Sequence, residues 1–355
     1  MDGKEFKVDT AQPVLVTGAT GYVAGWVVKR LLEAGATVHA PVRDPDNTAK
    51  IAHLVDIAEQ CPGTIRFFRA DLLAPGSYGE AMAGCGVVFH TASPFTVNVD
   101  DPQKELIDPA VNGTRNVLDE ANRQDSVTRV VLTSSCAAIY TDARDTVDAP
   151  GQKITEDVWN TTATMAYQPY SLSKTLAEKA AWEMAGAQDR WKLVVVNPSL
   201  VVGPALQDKP TSESFTLLRM LGDGSMKMGA PRMSFGAVDV RDLAQAHLAA
   251  AYLPDAEGRH IVSGSETDFL EMGLLLRPKF GEDYPLPKRA LPKWLVWLVG
   301  PSQGMDRKYV SRNVNVPWRA DNSKSRTALG MSYRPLQDSL EEMFAKMIGD
   351  GWFAK

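Results

Sequence analysis

Residues 13–25 read PVLVTGATGYVAG, a short apolar run and a glycine-rich turn; beyond them Val23, Ala24, Val27, Val28 and Leu31 recur at helical spacing. This is the pattern of a buried strand passing through a tight turn into a helix. Gly18 permits the turn, Gly21 lets the backbone approach a ligand closely, and Ala24 stands where a third small residue packs helix against strand. The first N–H groups of such a helix lack partners and lie at the positive end of its dipole, which suits a pyrophosphate. Gly18, Thr20, Gly21, Tyr22 and Val23 are therefore candidate phosphate-cradling residues. Glycine turns between strand and helix also occur as plain structure, so the surrounding pattern has to carry the reading.

Working outward, ATVHAPV (36–42), TIRFFRA (64–70), VVFHTA (87–92), RVVLTSS (129–135) and KLVVVN (192–197) are further strand candidates. Helical patterns separate them, among them Pro109 to Asn122 and Tyr170 to Ala187, and Gly35 falls where a helix end calls for positive φ. Alternating strands and helices imply parallel pairing through right-handed crossovers, hence an α/β fold with a doubly wound open sheet. RHIVSG (259–264) reads as a late strand returning to that sheet. Segments 204–235 and 265–335 are rich in Pro and Gly and read as irregular, with short helices. The expected organisation is a dinucleotide-binding domain over 12–203, with 236–264 returning to it, and a smaller substrate lobe from 204–235 and 265–355.

The 355 residues carry a net charge of −5, with 44% hydrophobic and 23% charged residues, which is ordinary globular usage. A mildly acidic chain lacks the overall basic field that nucleic acid or anionic lipid attracts, so neither is an expected partner. The longest apolar run, Trp294 to Val299, is far short of the roughly 20 residues a membrane span needs. Core packing is its expected role, ahead of a partner surface. The opening MDGKEFKVDTAQ is polar and acid-bearing, unlike a signal or transit peptide, and a cytoplasmic protein is expected. Cys61, Cys85 and Cys136 are distant from one another, and His39, His53, His90, His247 and His260 are scattered, so neither disulfides nor a metal site are expected.

Two further clusters bear on chemistry. The second strand ends at Val42-Arg43, with Lys50 following, where an NAD site usually carries an acid for the ribose 2′-hydroxyl. Cations there suit a 2′-phosphate instead and point to NADPH (NADP+), although Asp44 next door keeps NAD open. Tyr170 and Lys174, in YSLSK, lie four apart on one predicted helix and share a face. A tyrosine of ordinary pKa near 10 is a poor acid at neutral pH, but a nearby ammonium favours phenolate and draws it down. Ser135 ends a central strand at the sheet edge where ligands collect in such folds, and its hydroxyl can polarise the same carbonyl oxygen.

These stretches together resemble the extended short-chain dehydrogenase/reductases, and within them the dihydroflavonol reductase, cinnamoyl-CoA reductase and methylglyoxal (ketone) reductase group. The resembling segments are VLVTGATGYVAG (14–25), VRDP (42–45), ADL (70–72), VFHTASPF (88–95), PAVNGTRNVL (109–118), VVLTSSCAAIY (130–140), YSLSKTLAEKAAWE (170–183), NPSLVVGP (197–204) and VDVRDLAQAHLAA (238–250). The resemblance implies a Rossmann-type NADP-binding domain and a small-molecule carbonyl substrate. It implies that Ser135, Tyr170 and Lys174 form the catalytic triad, with Tyr170 the proton donor and Lys174 also holding the nicotinamide ribose. Arg43 and Lys50 would meet the 2′-phosphate, Asp71 and Leu72 flank the adenine, Thr91, Ala92 and Ser93 line the ribose side, and Pro198 to Val201 pack on the nicotinamide. Phe95, Cys136, Tyr140, Tyr167, Phe215 and Phe235 are candidate substrate-pocket walls, each also explicable as core. The helices at 109–122 and 170–187 resemble those that pair in the group's homodimers.

Departures matter too. Cinnamoyl-CoA reductases usually carry Asn-Trp-Tyr-Cys-Tyr up to the catalytic tyrosine, whereas this chain reads MAYQPY (165–170), which argues against a CoA thioester. A reversible reduction of an aldehyde or ketone is the leading expectation. The alternatives are an NAD-dependent nucleotide-sugar epimerase or dehydratase, and a non-catalytic NADP(H)-sensing module. Dehydratases place an Asp-Glu pair near the serine, where this chain has Cys-Ala-Ala-Ile (136–139), and degenerate sensors typically lose the Tyr/Lys pair that it keeps.

Overall fold

A computed structural model describes residues 4–93 and 100–353. Seven strands make the central sheet: β1 (Val14–Thr17), β2 (Thr37–Val42), β3 (Thr64–Arg69), β4 (Val87–His90), β5 (Arg129–Thr133), β6 (Lys192–Pro198) and β9 (Gly258–Val262). Their order is β3-β2-β1-β4-β5-β6-β9 and every pairing is parallel. β1, β5 and β6 are apolar almost throughout because a parallel sheet is covered on both faces. The direction of winding reverses between β1 and β4, and crevices at such a switch point, outside the carboxyl ends of the strands, are where ligands bind.

Helices α1 (Tyr22–Glu33), α2 (Thr48–Glu59) and α8 (Val240–Tyr252) cover one face, where Val27, Leu31, Leu54, Leu243 and Ala246 share a core with Val16, Val38 and Val194. Helices α3 (Gly79–Met82), α4 (Asp108–Arg123) and α6 (Pro169–Gly186) cover the other. Gly35 closes α1 at φ +85°. A short helix, α5 (Ala143–Asp148), follows β5.

The lobe holds more order than its composition implies. β7 (Leu200–Val202), β8 (Ser234–Asp239) and β10 (Ser265–Asp268) form a second, three-stranded sheet in the order β10-β8-β7. β8 therefore pairs within this small sheet, while α8 and β9 return to the large one. Around the small sheet pack α7 (Glu213–Gly222), α9 (Phe269–Phe280), α10 (Lys293–Val299), α11 (Arg307–Asn313) and α13 (Leu336–Gly349), with Phe215, Leu218, Leu276, Val310 and Phe344 in a separate core; α12 (Ser323–Ala328) leans on β9. α10 buries Val296 but leaves Trp294 69% and Leu298 59% exposed, so the apolar run is only partly core. Among the described residues no helix is long and apolar enough to cross a membrane, and no group of three or more His, Cys, Asp or Glu could hold a metal ion.

Candidate active site

The turn after β1 is built for close approach. Gly18 sits at φ +65°, and a Cβ there would lie 3.0 Å from Ala92 Cα, so a side chain is excluded both by backbone conformation and by space. Gly21 N–H donates to the Gly18 carbonyl at 2.8 Å, and Gly21 caps α1 without a side-chain hydrogen bond. The first-turn N–H groups of α1 thus stay available to an anion. Tyr22 turns its phenol to the Gly203 carbonyl at 2.6 Å, tying this turn to the start of the lobe.

Thr17, which the sequence reading passed over, organises the facing strand end. Its hydroxyl accepts from the N–H groups of Thr91 (3.1 Å) and Ala92 (3.0 Å) and lies 3.0 Å from His90 Nδ1, while Thr91 Oγ1 donates to the Thr17 carbonyl. With both N–H groups donating to it, the hydroxyl proton goes to His90 Nδ1, which must then be unprotonated. Burial, with nearby Lys174 adding to it, holds His90 down at about 3, so the imidazole is neutral. Thr91, Ala92 and Ser93 are fixed in this way beside Gly18.

Ser135 follows β5 and begins a helical turn, accepting from Ala137 N–H at 3.1 Å. Tyr170 stands in the first turn of α6, entered through Gln168 in the left-handed region (φ 58°) and Pro169, a pairing in which proline already disfavours right-handed helix at the preceding residue. Ser135 hydrogen-bonds the Tyr170 phenol. Lys174 Nζ donates to Ser93 Oγ at 2.9 Å and lies 5.7 Å from the centre of the Tyr170 ring. Ser135, Tyr170 and Lys174 line one cavity of about 1090 Å³ with Gly18, Gly21 and Ser93.

The electrostatics differ from the expectation that the ammonium draws the phenol down. Tyr170 is raised, because loss of solvent around the phenol outweighs the lowering effect of Ser135 even though the residue stays 37% exposed, and the same desolvation brings Lys174 down to about 8. Both groups are pushed towards their neutral forms. The phenol therefore keeps its proton at neutral pH, which is the form a proton donor needs.

Pro198 and Val201 line the same cavity. Arg43, Lys50, Asp71 and Leu72 stand outside it, around the ends of β2 and β3. Arg43 and Lys50 are exposed, and among the described residues neither has a carboxylate partner. Asp71 accepts from Leu73 N–H at 2.9 Å, and Leu72 packs where a Cβ on Gly113 would collide with it.

Of the proposed substrate walls, Cys136, Tyr140 and Phe235 line the cavity and Phe215 and Tyr167 do not; Phe95 lies outside the described residues. Phe215 is fully buried in the lobe core, edge-on to Tyr22 at 5.0 Å. Tyr167 donates to Asp142 Oδ1 at 2.8 Å, with Lys308 3.7 Å from its ring centre. Both were indistinguishable from pocket aromatics by residue type alone. The rest of the lining is mostly apolar or hydroxyl-bearing, including Leu217, Met226, Met233 and Phe269, with the amides of Gln207 and Gln303, and among the described lining residues the charged ones are Lys174 and Glu213.

The sequence profile of the NAD dependent epimerase/dehydratase family matches residues 14–264. The chain is 36% identical over 333 residues to the cinnamoyl-CoA reductase CAD2 of Medicago truncatula, covering 93% of each. It is 33% identical to tetraketide alpha-pyrone reductase 1 of Arabidopsis thaliana, over 96% of this chain and 97% of that one. Among solved structures, Gre2 of Candida albicans in complex with NADPH superposes with a TM-score of 0.75 at 28% identity, covering 97% of this chain and all of that one (100%).

Proposed function

The chain belongs to the NAD dependent epimerase/dehydratase family, the extended short-chain dehydrogenase/reductases, and we propose that it is an NADPH-dependent reductase of an uncharged aldehyde or ketone, acting reversibly. The observation that carries this reading is that Ser135, Tyr170 and Lys174 share one cavity with the open N-terminus of α1. Reductases among its relatives, and a neighbour solved with NADPH, support it.

The residues fit a dinucleotide: the Gly18 to Val23 turn would hold the pyrophosphate, Thr91 to Ser93 the ribose side, and Pro198 and Val201 the nicotinamide face. When bound, the reduced nicotinamide supplies hydride to the carbonyl carbon. Tyr170, kept protonated by desolvation, gives its proton to the carbonyl oxygen, and Ser135 donates to that oxygen alongside it. Lys174, steadied by Ser93, would hold the ribose and lies beside the Tyr170 ring, where its ammonium favours the phenolate left behind. Arg43 and Lys50 would take the 2′-phosphate, and Asp71 and Leu72 the adenine. A homodimer through α4 and α6 belongs to the same proposal and is checked by sedimentation velocity.

The lining argues for the substrate class. A sugar diphosphate or a CoA thioester brings phosphates that call for cations beyond the cofactor's own, and the described lining offers only Lys174. The deciding assay is oxidation of NADPH against NADH over a panel of aldehydes, ketones, a flavanonol and a cinnamoyl-CoA. Turnover with uncharged carbonyls and NADPH is expected. Tyr170→Phe should retain NADPH binding while kcat falls by ~100-fold or more. Retained turnover in that variant, or NAD held tightly through purification, would overturn the proposal.

A further inference from the structure

The helix that carries Tyr170 and Lys174 is anchored one turn beyond Lys174. Glu178 is 1% exposed, and its carboxylate accepts from Ser134 Oγ after β5 (2.5 Å), Asn197 Nδ2 in β6 (2.8 Å) and Arg259 Nε in β9 (2.6 Å). Asn197 Nδ2 also donates to the Ser135 carbonyl at 3.2 Å, so the carboxylate fixes the backbone of Ser135 through one intermediary. Arg259, 7% exposed, is committed elsewhere as well: Nη1 donates to the carbonyls of Glu156 (2.8 Å) and Val158 (2.7 Å), and its guanidinium lies 4.0 Å from the centre of the Trp159 ring.

A glutamate four residues after a lysine on a helix ordinarily attracts that lysine. Here both line one small cavity of about 20 Å³ with Ser93, Ser134, Thr114 and His90, yet the lysine donates to Ser93 and the carboxylate is taken by the sheet. Among the described residues the charged or titratable groups beside Lys174 are Tyr170 and Glu178 on its own helix and neutral His90 from β4; Arg259 of β9 stands on the far side of Glu178, with the Glu156 carbonyl on its guanidinium. α4 presents only Ala110 and Thr114 to this small cavity.

We propose that Glu178 and Arg259 are positioning residues for the Ser135/Tyr170/Lys174 site: the carboxylate clamps α6 to the ends of β5 and β6, and Arg259 neutralises it so that it does not draw Lys174 out of the cavity. The inference rests on the reductase reading. It separates from simple fold support because the two single variants leave opposite charges behind Lys174. Glu178→Gln leaves the Arg259 cation unbalanced and disfavours the ammonium; Arg259→Gln leaves the carboxylate unbalanced and favours it.

The test is the pH profile of kcat and, independently of turnover, of NADPH binding followed by fluorescence, in the full-length protein. The expected result is that the limb assigned to Lys174 moves down by ~0.5–1 unit in Glu178→Gln and up by a similar amount in Arg259→Gln. It should return to within ~0.3 units of the native position in the double variant and in Arg259→Lys. Limbs that stay in place in variants that still bind NADPH, or that move in the same direction, would overturn the inference. Should a single variant not fold, Arg259→Lys against the double variant still carries the comparison: a shift of more than ~0.5 units in either overturns the charge-balance argument. A native enzyme that turns over no carbonyl defeats the reductase reading instead.

Discussion

Arg69 bears on the proposed preference for NADPH through its ion pairs alone. Its guanidinium donates to Asp44 (3.2 Å) and Asp46 (2.7 Å), the two acids nearest Arg43 in the chain. The aspartate that kept NAD open in the sequence is thereby turned to Arg69, and in the proposed reading Arg43 is left to meet the 2′-phosphate. Charge-assisted bonds of this kind contribute ~1.5–3 kcal/mol, so Arg43→Ala should reduce kcat/KM for NADPH by ~10–100-fold and change that for NADH by less than ~3-fold. Equal losses with both cofactors would remove Arg43 from the 2′-phosphate. At this scale the sequence was readable where a placement depends on neighbours along one element, as with Tyr170 and Lys174 on α6. Thr17, Glu178 and Arg259 escaped because the partners that define them come from other elements, 19 to 103 residues away. A signal did exist: an acid one turn after Lys174 on the same face, and an arginine inside the short strand GRHIV.

At the scale of elements, α6 explains why a motif succeeded where periodicity is faint. Its buried face carries Ser171, Ser173, Thr175 and Glu178 among small alanines, and it is the hydroxyls' bonds within the helix, Ser173 to the Tyr170 carbonyl (2.7 Å) and Thr175 to that of Ser171 (2.8 Å), that allow their burial. The central strands were legible because burial on both faces leaves continuous apolar runs. β10, SETD, carries no such run and fell in a stretch read as irregular, while most of β8, SFGAVD, was assigned with 236–264 to the domain of the large sheet. Lys174 pays for its place in this helix. Its folded pKa of about 8 lies below the ordinary 10.5, so at neutral pH the folded state bears the cost of a buried ammonium. Between about pH 8 and 10.5 the unfolded chain binds more protons, and stability rises with pH over that window. Lys174→Met should therefore raise Tm by ~2–6 °C at pH 7 while abolishing turnover, with the gain shrinking as the pH approaches 10. A variant less stable than the native protein at pH 7 would show that the Ser93 bond outweighs desolvation.

For the whole molecule, the question is what holds the elements around the small sheet against those of the large one, since residues from both line the cavity. Apart from Tyr22, Trp26 Nε1 donates to the Pro204 carbonyl at 2.9 Å. The stronger join lies on the opposite rim, just beyond Ser135. Asp142 is fully buried and accepts from Tyr167 (2.8 Å), Arg312 Nε (2.7 Å) and Asn313 Nδ2 (2.6 Å), while Asn313 Oδ1 accepts in return from Ala143 N–H at 2.9 Å. Two of these donors sit on α11, so the cluster ties the segment following Ser135 to the lobe, beside cavity residues Thr141 and Tyr309. It also explains why Tyr167 is not a pocket wall: its hydroxyl is needed to satisfy the carboxylate. Without Asp142, Arg312 keeps Asp145 (2.5 Å), but the buried Tyr167 hydroxyl and Asn313 amide lose their acceptor, at a cost of about 1–3 kcal/mol each. Asp142→Ala should lose stability on that scale in urea unfolding. The cofactor turn lies across the cavity and keeps its own contacts with Thr17 and Ala92, so NADPH affinity should hold within ~3-fold, whereas KM for the carbonyl rises ~10-fold or more as α11 loosens. Parallel loss of both affinities would mean that the two halves of the cavity are held as one unit, with Asp142 supporting the cofactor turn as much as the lobe.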